Sequence, residues 1–116
     1  MRYMLLIFGP EDASPAQGTP EFDEMMAGYS EFTRDIYAAG AMDRGDELDS
    51  SVTATTVRVR NGTAMLTDGP FIESKEQLGG YYIVDVPNLD EAIRWAARIP
   101  GASTGAVEVR PIIDHE

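Results

Sequence analysis

The residues whose types and spacing suit chemistry gather in one stretch, Asp68-Gly69-Pro70-Phe71-Ile72-Glu73-Ser74-Lys75-Glu76-Gln77-Leu78-Gly79-Gly80-Tyr81-Tyr82. Asp68 is the candidate general base, or the acceptor for a ligand's hydrogen-bond donors. An aspartate that takes protons near neutral pH needs burial or a neighbouring carboxylate, and Glu73 is the carboxylate at hand. A structural reading competes with this one. Gly69 can take positive φ, Pro70 fixes its own φ, and Asp68 can bond to backbone N–H groups two residues on, leaving Phe71 to plug the core.

Tyr81 and Tyr82 point to opposite faces of any strand that holds them, so at most one lines a given cleft. Gly79-Gly80 before them marks a bulge or a close backbone approach. Arg44 and Arg110 stand out as positive charges in an acidic chain: either of them would hold a substrate carboxylate by two hydrogen bonds. Arg110 also falls two residues from Glu108, which puts both on one face of a strand, where a surface ion pair of small worth is the plainer reading. The single histidine, His115, is next to the last residue and reads as solvated. With one histidine and no cysteine, Ser-His-Asp catalysis and His- or Cys-based metal clusters are excluded. Glu11-Asp12, Asp46-Glu47 and Asp114 with Glu116 lack the ligand spacing of a cation loop. Gly79-Gly80 has neither the third glycine nor the helix of a dinucleotide fingerprint. The expectation is therefore no metal and no cofactor.

The elements that must position these groups follow from periodicity. Residues 2 to 8 are apolar on both alternating faces and read as a strand covered on both sides. Gly9 to Gly18 is a loop. Thr19-Pro20 reads as an N-cap with proline at the first helical position, followed by Phe22, Met25, Tyr29, Phe32 and Ile36 on one helical face. Gly40 closes that helix. A strand over Met42 to Leu48 comes next, then a hairpin of Thr55 to Arg60 and Ala64 to Thr67 about Asn61-Gly62. Gly80 to Val86 is again apolar on both faces. Asn88 with Glu91 opens a second helix whose buried stripe is Leu89, Ala92, Ile93, Ala96 and Ile99. Val107 to Ile113 is the last strand.

This order predicts one domain, residues 1–116, of α+β class. It is a ferredoxin-like sandwich with an antiparallel sheet, two helices on one face and an extra β-hairpin. Two helices cover only one face of that sheet, yet two strands are apolar on both. A second copy packed sheet against sheet about a two-fold axis supplies the missing cover, so the chain is expected to be a homodimer.

The whole-chain numbers narrow the partners. At 116 residues one core suffices, and 43% hydrophobic residues without low-complexity tracts exclude disorder. Nine basic against 20 acidic residues give a formal charge of −11, which disfavours direct binding to nucleic acid or to anionic membrane. The opening apolar run is shorter than a signal region and far short of the ~20 residues of a membrane span. A cytoplasmic location is expected.

Several segments together resemble the DGPF group of the YCII-related family over nearly the whole chain. They are Tyr3-Met4-Leu5-Leu6-Ile7, Thr67-Asp68-Gly69-Pro70-Phe71 with Glu73, Lys75 and Glu76, Leu78-Gly79-Gly80-Tyr81-Tyr82, Glu91-Ala92 with Trp95-Ala96, and Val107-Glu108-Val109-Arg110-Pro111. The resemblance implies a dimeric α/β barrel. In some relatives a histidine–aspartate pair suggests enzymatic activity. This chain departs from them, because no histidine lies in its body, and Asp68 would have to act with other partners. Similar domains fused to sigma-70-type factors imply an accessory role in transcription initiation. Two readings stand. One is a homodimer with a cleft for a small organic ligand, with acid/base chemistry through Asp68 aided by Tyr81 or Tyr82 and Arg44 or Arg110. The other is a module without a substrate that docks on a sigma factor.

Overall fold

A computed structural model describes residues 1–115 of the chain; Glu116, weighed above as a cation ligand, lies outside them. The order is β1 (Arg2–Gly9), α1 (Pro20–Ala38), β2 (Met42–Glu47), β3 (Thr55–Arg60), β4 (Thr63–Asp68), β5 (Gln77–Asp85), α2 (Leu89–Arg98) and β6 (Ala106–Pro111). Four strands form an antiparallel sheet in the order β2-β5-β1-β6, the arrangement of a ferredoxin-like α+β sandwich. β3 and β4 form a two-stranded sheet of their own, so the hairpin is an arm separate from the main sheet.

Local chemistry explains the boundaries. Thr19 Oγ1 accepts the Phe22 N–H at 3.2 Å, and Pro20 occupies the first helical position where no donor is needed. Asn88 Oδ1 accepts the Glu91 N–H at 3.0 Å and opens α2. Asn61 and Gly62 take φ of 52° and 77°, the left-handed pair that lets a two-residue turn follow strand twist.

Both helices lie on the same face. Tyr3, Leu5 and Val84 from alternate strand positions are buried with Phe32 and Ile36 of α1 and with Ala92, Ala96 and Ile99 at α2. Tyr82 joins them, its ring 5.1 Å from that of Phe32. Fully burying residues of this size contributes roughly 1.5–3 kcal/mol each, and the core sits between these helices and the sheet.

Three expectations need correction. Leu89 and Ile93, assigned to the buried stripe of α2, are each 47% exposed, because the helix meets the sheet through its small residues Ala92 and Ala96. The last strand ends at Pro111; the Ile112 N–H still bonds to the Arg2 carbonyl at 2.9 Å, but Ile113 is exposed. Phe71 does not plug the core: it is 68% exposed.

Among the described residues, no helix lies over the other sheet face. Register places two rows of side chains across it: Arg44, Ile83, Met4 and Arg110 in one, Asp46, Tyr81, Leu6 and Glu108 in the next. The chain exposes 8219 Å², against about 6,200 Å² for a compact monomer of its mass. Its radius of gyration is 16.3 Å, against about 13 Å for a compact domain. The arm contributes to this surplus with Val57, Val59, Met65 and Leu66 all exposed, while on the helix-free sheet face Met4, Leu6 and Tyr81 are half-buried and Ile83 is buried.

Candidate functional site

The base of the arm is where the Asp-Gly-Pro-Phe stretch sits. Asp68 is the last residue of β4, and Gly69 follows at φ 100°, a conformation that residues with a Cβ rarely adopt. The Gly69 N–H donates to the Ala54 carbonyl at 2.7 Å, and Thr56 Oγ1 donates to the Gly69 carbonyl at 2.8 Å. Ala54 and Thr56 therefore order this turn. The Asp68 carboxylate is exposed and has no hydrogen bond or ion pair among the described residues, so its assignment as the group that orders the turn is corrected.

Beyond the turn, Phe71 stands under the Arg58 guanidinium, 5.0 Å from its ring centroid. The chain is then held by Gln77, whose Nε2 donates to the Ile72 carbonyl at 3.1 Å and the Ser74 carbonyl at 2.9 Å. The Glu76 N–H donates to Ser74 Oγ at 3.2 Å. One side-chain amide thus fixes a segment that has no strand or helix of its own.

Between this segment and the edge of the main sheet lies an open cleft of about 690 Å³. Phe8 on β1, Gln77 and Leu78 on β5 and Ala106 to Glu108 on β6 line it from the sheet, and Pro70 to Ile72 with Ser74 and Glu76 line it from the segment. The walls are largely apolar, with the carboxylates of Glu76 and Glu108 and the amide of Gln77 among them. Glu108 Oε2 is sealed from solvent and has no hydrogen-bond donor among the described residues. Arg110 lies against that oxygen as an ion pair, a close charge contact without hydrogen-bond alignment.

The candidate residues are dispersed. Asp68 and Glu73 are exposed and outside the cleft lining. Arg44 and Arg110 sit on opposite edge strands of one row, separated by Ile83 and Met4. At the usual strand spacing they are roughly 14 Å apart, too far to grip one carboxylate together. The Tyr81 hydroxyl donates to Asp46 Oδ2 at 2.7 Å on the bare face. That bond, with a smaller contribution from burial, holds the Tyr81 phenol above its ordinary pKa. Burial foremost raises Tyr82, which lies on the helix-covered face. Both phenols are thereby kept protonated, as donors and not as bases.

The Asp68 to Gln77 segment was expected to edge a cleft floored by the sheet, and Pro70 to Ile72, Ser74, Glu76 and Gln77 do line it. Sequence reasoning missed Phe8 and Glu108 as cleft residues. Phe8 had a readable signal, since alternation puts it on the same face as Met4 and Leu6, whereas Glu108 depends on the pairing of β6 with β1. Among the described residues, no group of three or more His, Cys, Asp or Glu side chains is placed to hold a metal ion. No helix among them is long and apolar enough to cross a membrane.

Comparison with known proteins connects the chain to a family and to a relative. The family model described as the YCII-related domain matches residues 1–116. An uncharacterized protein of Rhizobium meliloti (strain 1021) is 36% identical over 114 residues, covering 97% of this chain and 92% of the relative.

Proposed function

The chain belongs to the YCII-related family, and from that premise we propose that it acts in the cytoplasm as a homodimeric module binding a small organic ligand. The observation that carries this reading is the cleft itself: the Asp68 to Gln77 stretch forms one wall of it through Pro70, Phe71 and Ile72. Its volume of about 690 Å³ falls in the range of small-molecule sites, as does an apolar lining with a few polar groups. The ligand is an apolar body carrying a donor group for Glu76 or Glu108. Binding is the primary function; acid/base chemistry through Asp68 is its secondary form, since that carboxylate is exposed and stands beside the cleft.

A thermal-shift screen of a metabolite library tests this. A ligand at ten times its Kd stabilises by about 1.4 kcal/mol, which moves Tm by roughly 5 °C or more in a chain of this size. The shift should be present in wild type and lost in Phe71→Ala. Phe71 is exposed, so its truncation should leave the unliganded Tm nearly unchanged. Asp68→Asn should still bind; loss of ligand turnover in that variant alone supports the catalytic form. A library in which nothing shifts wild type sinks the reading.

One feature favours the second reading, a docking module for a sigma factor. The arm exposes Val57, Val59 and Leu66 on one face. Pull-down with an extracytoplasmic-function sigma factor, lost on Leu66→Asp, would support it over the first.

A further inference from the structure

The bare sheet face carries a charge pattern that complements itself. Each of its two central rows has an apolar middle and charged ends: Arg44 and Arg110 flank Ile83 and Met4, while Asp46 and Glu108 flank Tyr81 and Leu6. One row is therefore cationic at both edges of the sheet and the next is anionic at both. Beyond them Arg2 pairs with Asp43 and Asp114, and the N-terminal ammonium pairs with Asp85, so those rim charges are satisfied within the chain.

A closed pair of identical sheets stacked face to face is related by a two-fold axis lying in the plane between them, and the strands give that axis two limiting directions. If the axis runs along the strands, it sets Arg44 against Arg110 and Asp46 against Glu108, like charge on like. If it runs across the strands, between the two rows, each row faces the other. Arg44 then meets Asp46, Arg110 meets Glu108, Ile83 meets Tyr81 and Met4 meets Leu6. We propose that the occupant of this face is a second copy of the chain, seated in this second orientation by two mirrored sets of Arg–carboxylate contacts. The proposal rests on the homodimer reading above and deepens it.

The shape of the face fits such an occupant: half-buried Met4, Leu6 and Tyr81 with buried Ile83 make a low apolar strip between exposed Arg44, Asp46 and Arg110. The orientation also bears on the cleft. Glu108 belongs both to the anionic row and to the cleft lining, and its Oε2 has no hydrogen-bond donor among the described residues. Within the chain Arg110 already lies against that oxygen as an ion pair without hydrogen-bond alignment; in the dimer Arg110 of the second copy would supply the aligned donor, so the cleft wall is completed by both chains.

Two variants test the registry, Arg44→Glu with Arg110→Glu and Asp46→Arg with Glu108→Arg. Each places like charges opposite one another in its own homodimer and opposite charges in a mixture. Both remain net negative from a starting charge of −11, so bulk attraction cannot drive their mixing. After circular dichroism confirms folding, sedimentation velocity should show the dimer Kd of each variant raised about 100-fold, equivalent to about 2.8 kcal/mol. Mixing them, one chain carrying a mass tag, should restore a one-to-one dimer by native mass spectrometry. A wild type that stays at 12.7 kDa overturns the homodimer reading itself. A wild-type dimer whose variants stay dimeric alone, or do not reassort when mixed, overturns only the charge registry.

Discussion

At the scale of single residues, neighbouring glycines in the signature have different tasks. Ile7 pairs with Gly80 and Phe8 with Leu78, so Gly79 is the extra residue of a bulge on β5. A Cβ on Gly79 would meet only the Ile7 carbonyl oxygen, at 3.9 Å. On Gly80 it would come 2.9 Å from the Asp46 carbonyl oxygen, a backbone atom of β2 that cannot swing aside. Gly80→Ala should therefore force β2 from β5 and destabilise by about 1–3 kcal/mol, while Gly79→Ala should change stability by no more than about 0.5 kcal/mol. Urea unfolding of the two variants decides this, and equal losses would contradict the assignment. The sequence flagged the pair for a bulge or a close approach, and both are present. Which glycine does which was not readable, because it depends on the register of β2, itself offset by an irregularity between Met42 and Arg44. The same holds for Asp68. Its turn chemistry suggested that it ordered the turn, but Thr56, brought alongside by the hairpin, does so.

At the scale of elements, what local rules govern was legible and what tertiary contact governs was not. The capping of α1 and α2, the Asn61-Gly62 hairpin and the helix–strand order all followed from residues close in sequence. The width of the buried stripe on α2 did not, since only the sheet determines how closely Ala92 and Ala96 approach it. Contacts between elements were equally hidden. Asp35 near the end of α1 accepts from Arg98 at the end of α2 and so ties the two helices together. The Arg98 hydrogen bond, above all, holds the Asp35 carboxyl below the usual carboxylate range; the Arg98 and Arg34 charges add to this, and partial desolvation opposes it. A carboxyl whose folded pKa is lowered adds stability above its unfolded value, about 3.9, and that stability is lost as pH falls through the folded value. Asp35→Asn should accordingly have a lower urea midpoint than wild type at pH 6, with the gap closing as pH approaches 3. A gap that stays constant across that range would show that the ion pair does not link α1 and α2 energetically.

At the scale of the whole molecule, strands apolar on both faces were the ground for expecting a second copy, and the sheet face that no helix among the described residues covers is what the proposed homodimer would bury. Charge gives this a quantitative test. Two chains of formal charge −11 repel each other over distances comparable to the Debye length, ~10 Å at 0.1 M salt, and added salt weakens that repulsion. In the proposed dimer the apolar contacts of Ile83, Met4, Tyr81 and Leu6 would not depend on ionic strength in this way, and Arg–carboxylate contacts enclosed between the two sheets would be screened far less than the net charges. Repulsion between the whole chains is then the term that salt removes first. The dimer Kd should fall several-fold between about 0.02 M and 0.3 M sodium chloride, read by sedimentation equilibrium at micromolar protein. A Kd that rises over this range would mean that exposed ion pairs dominate the association and that the apolar sheet face is not what joins the chains.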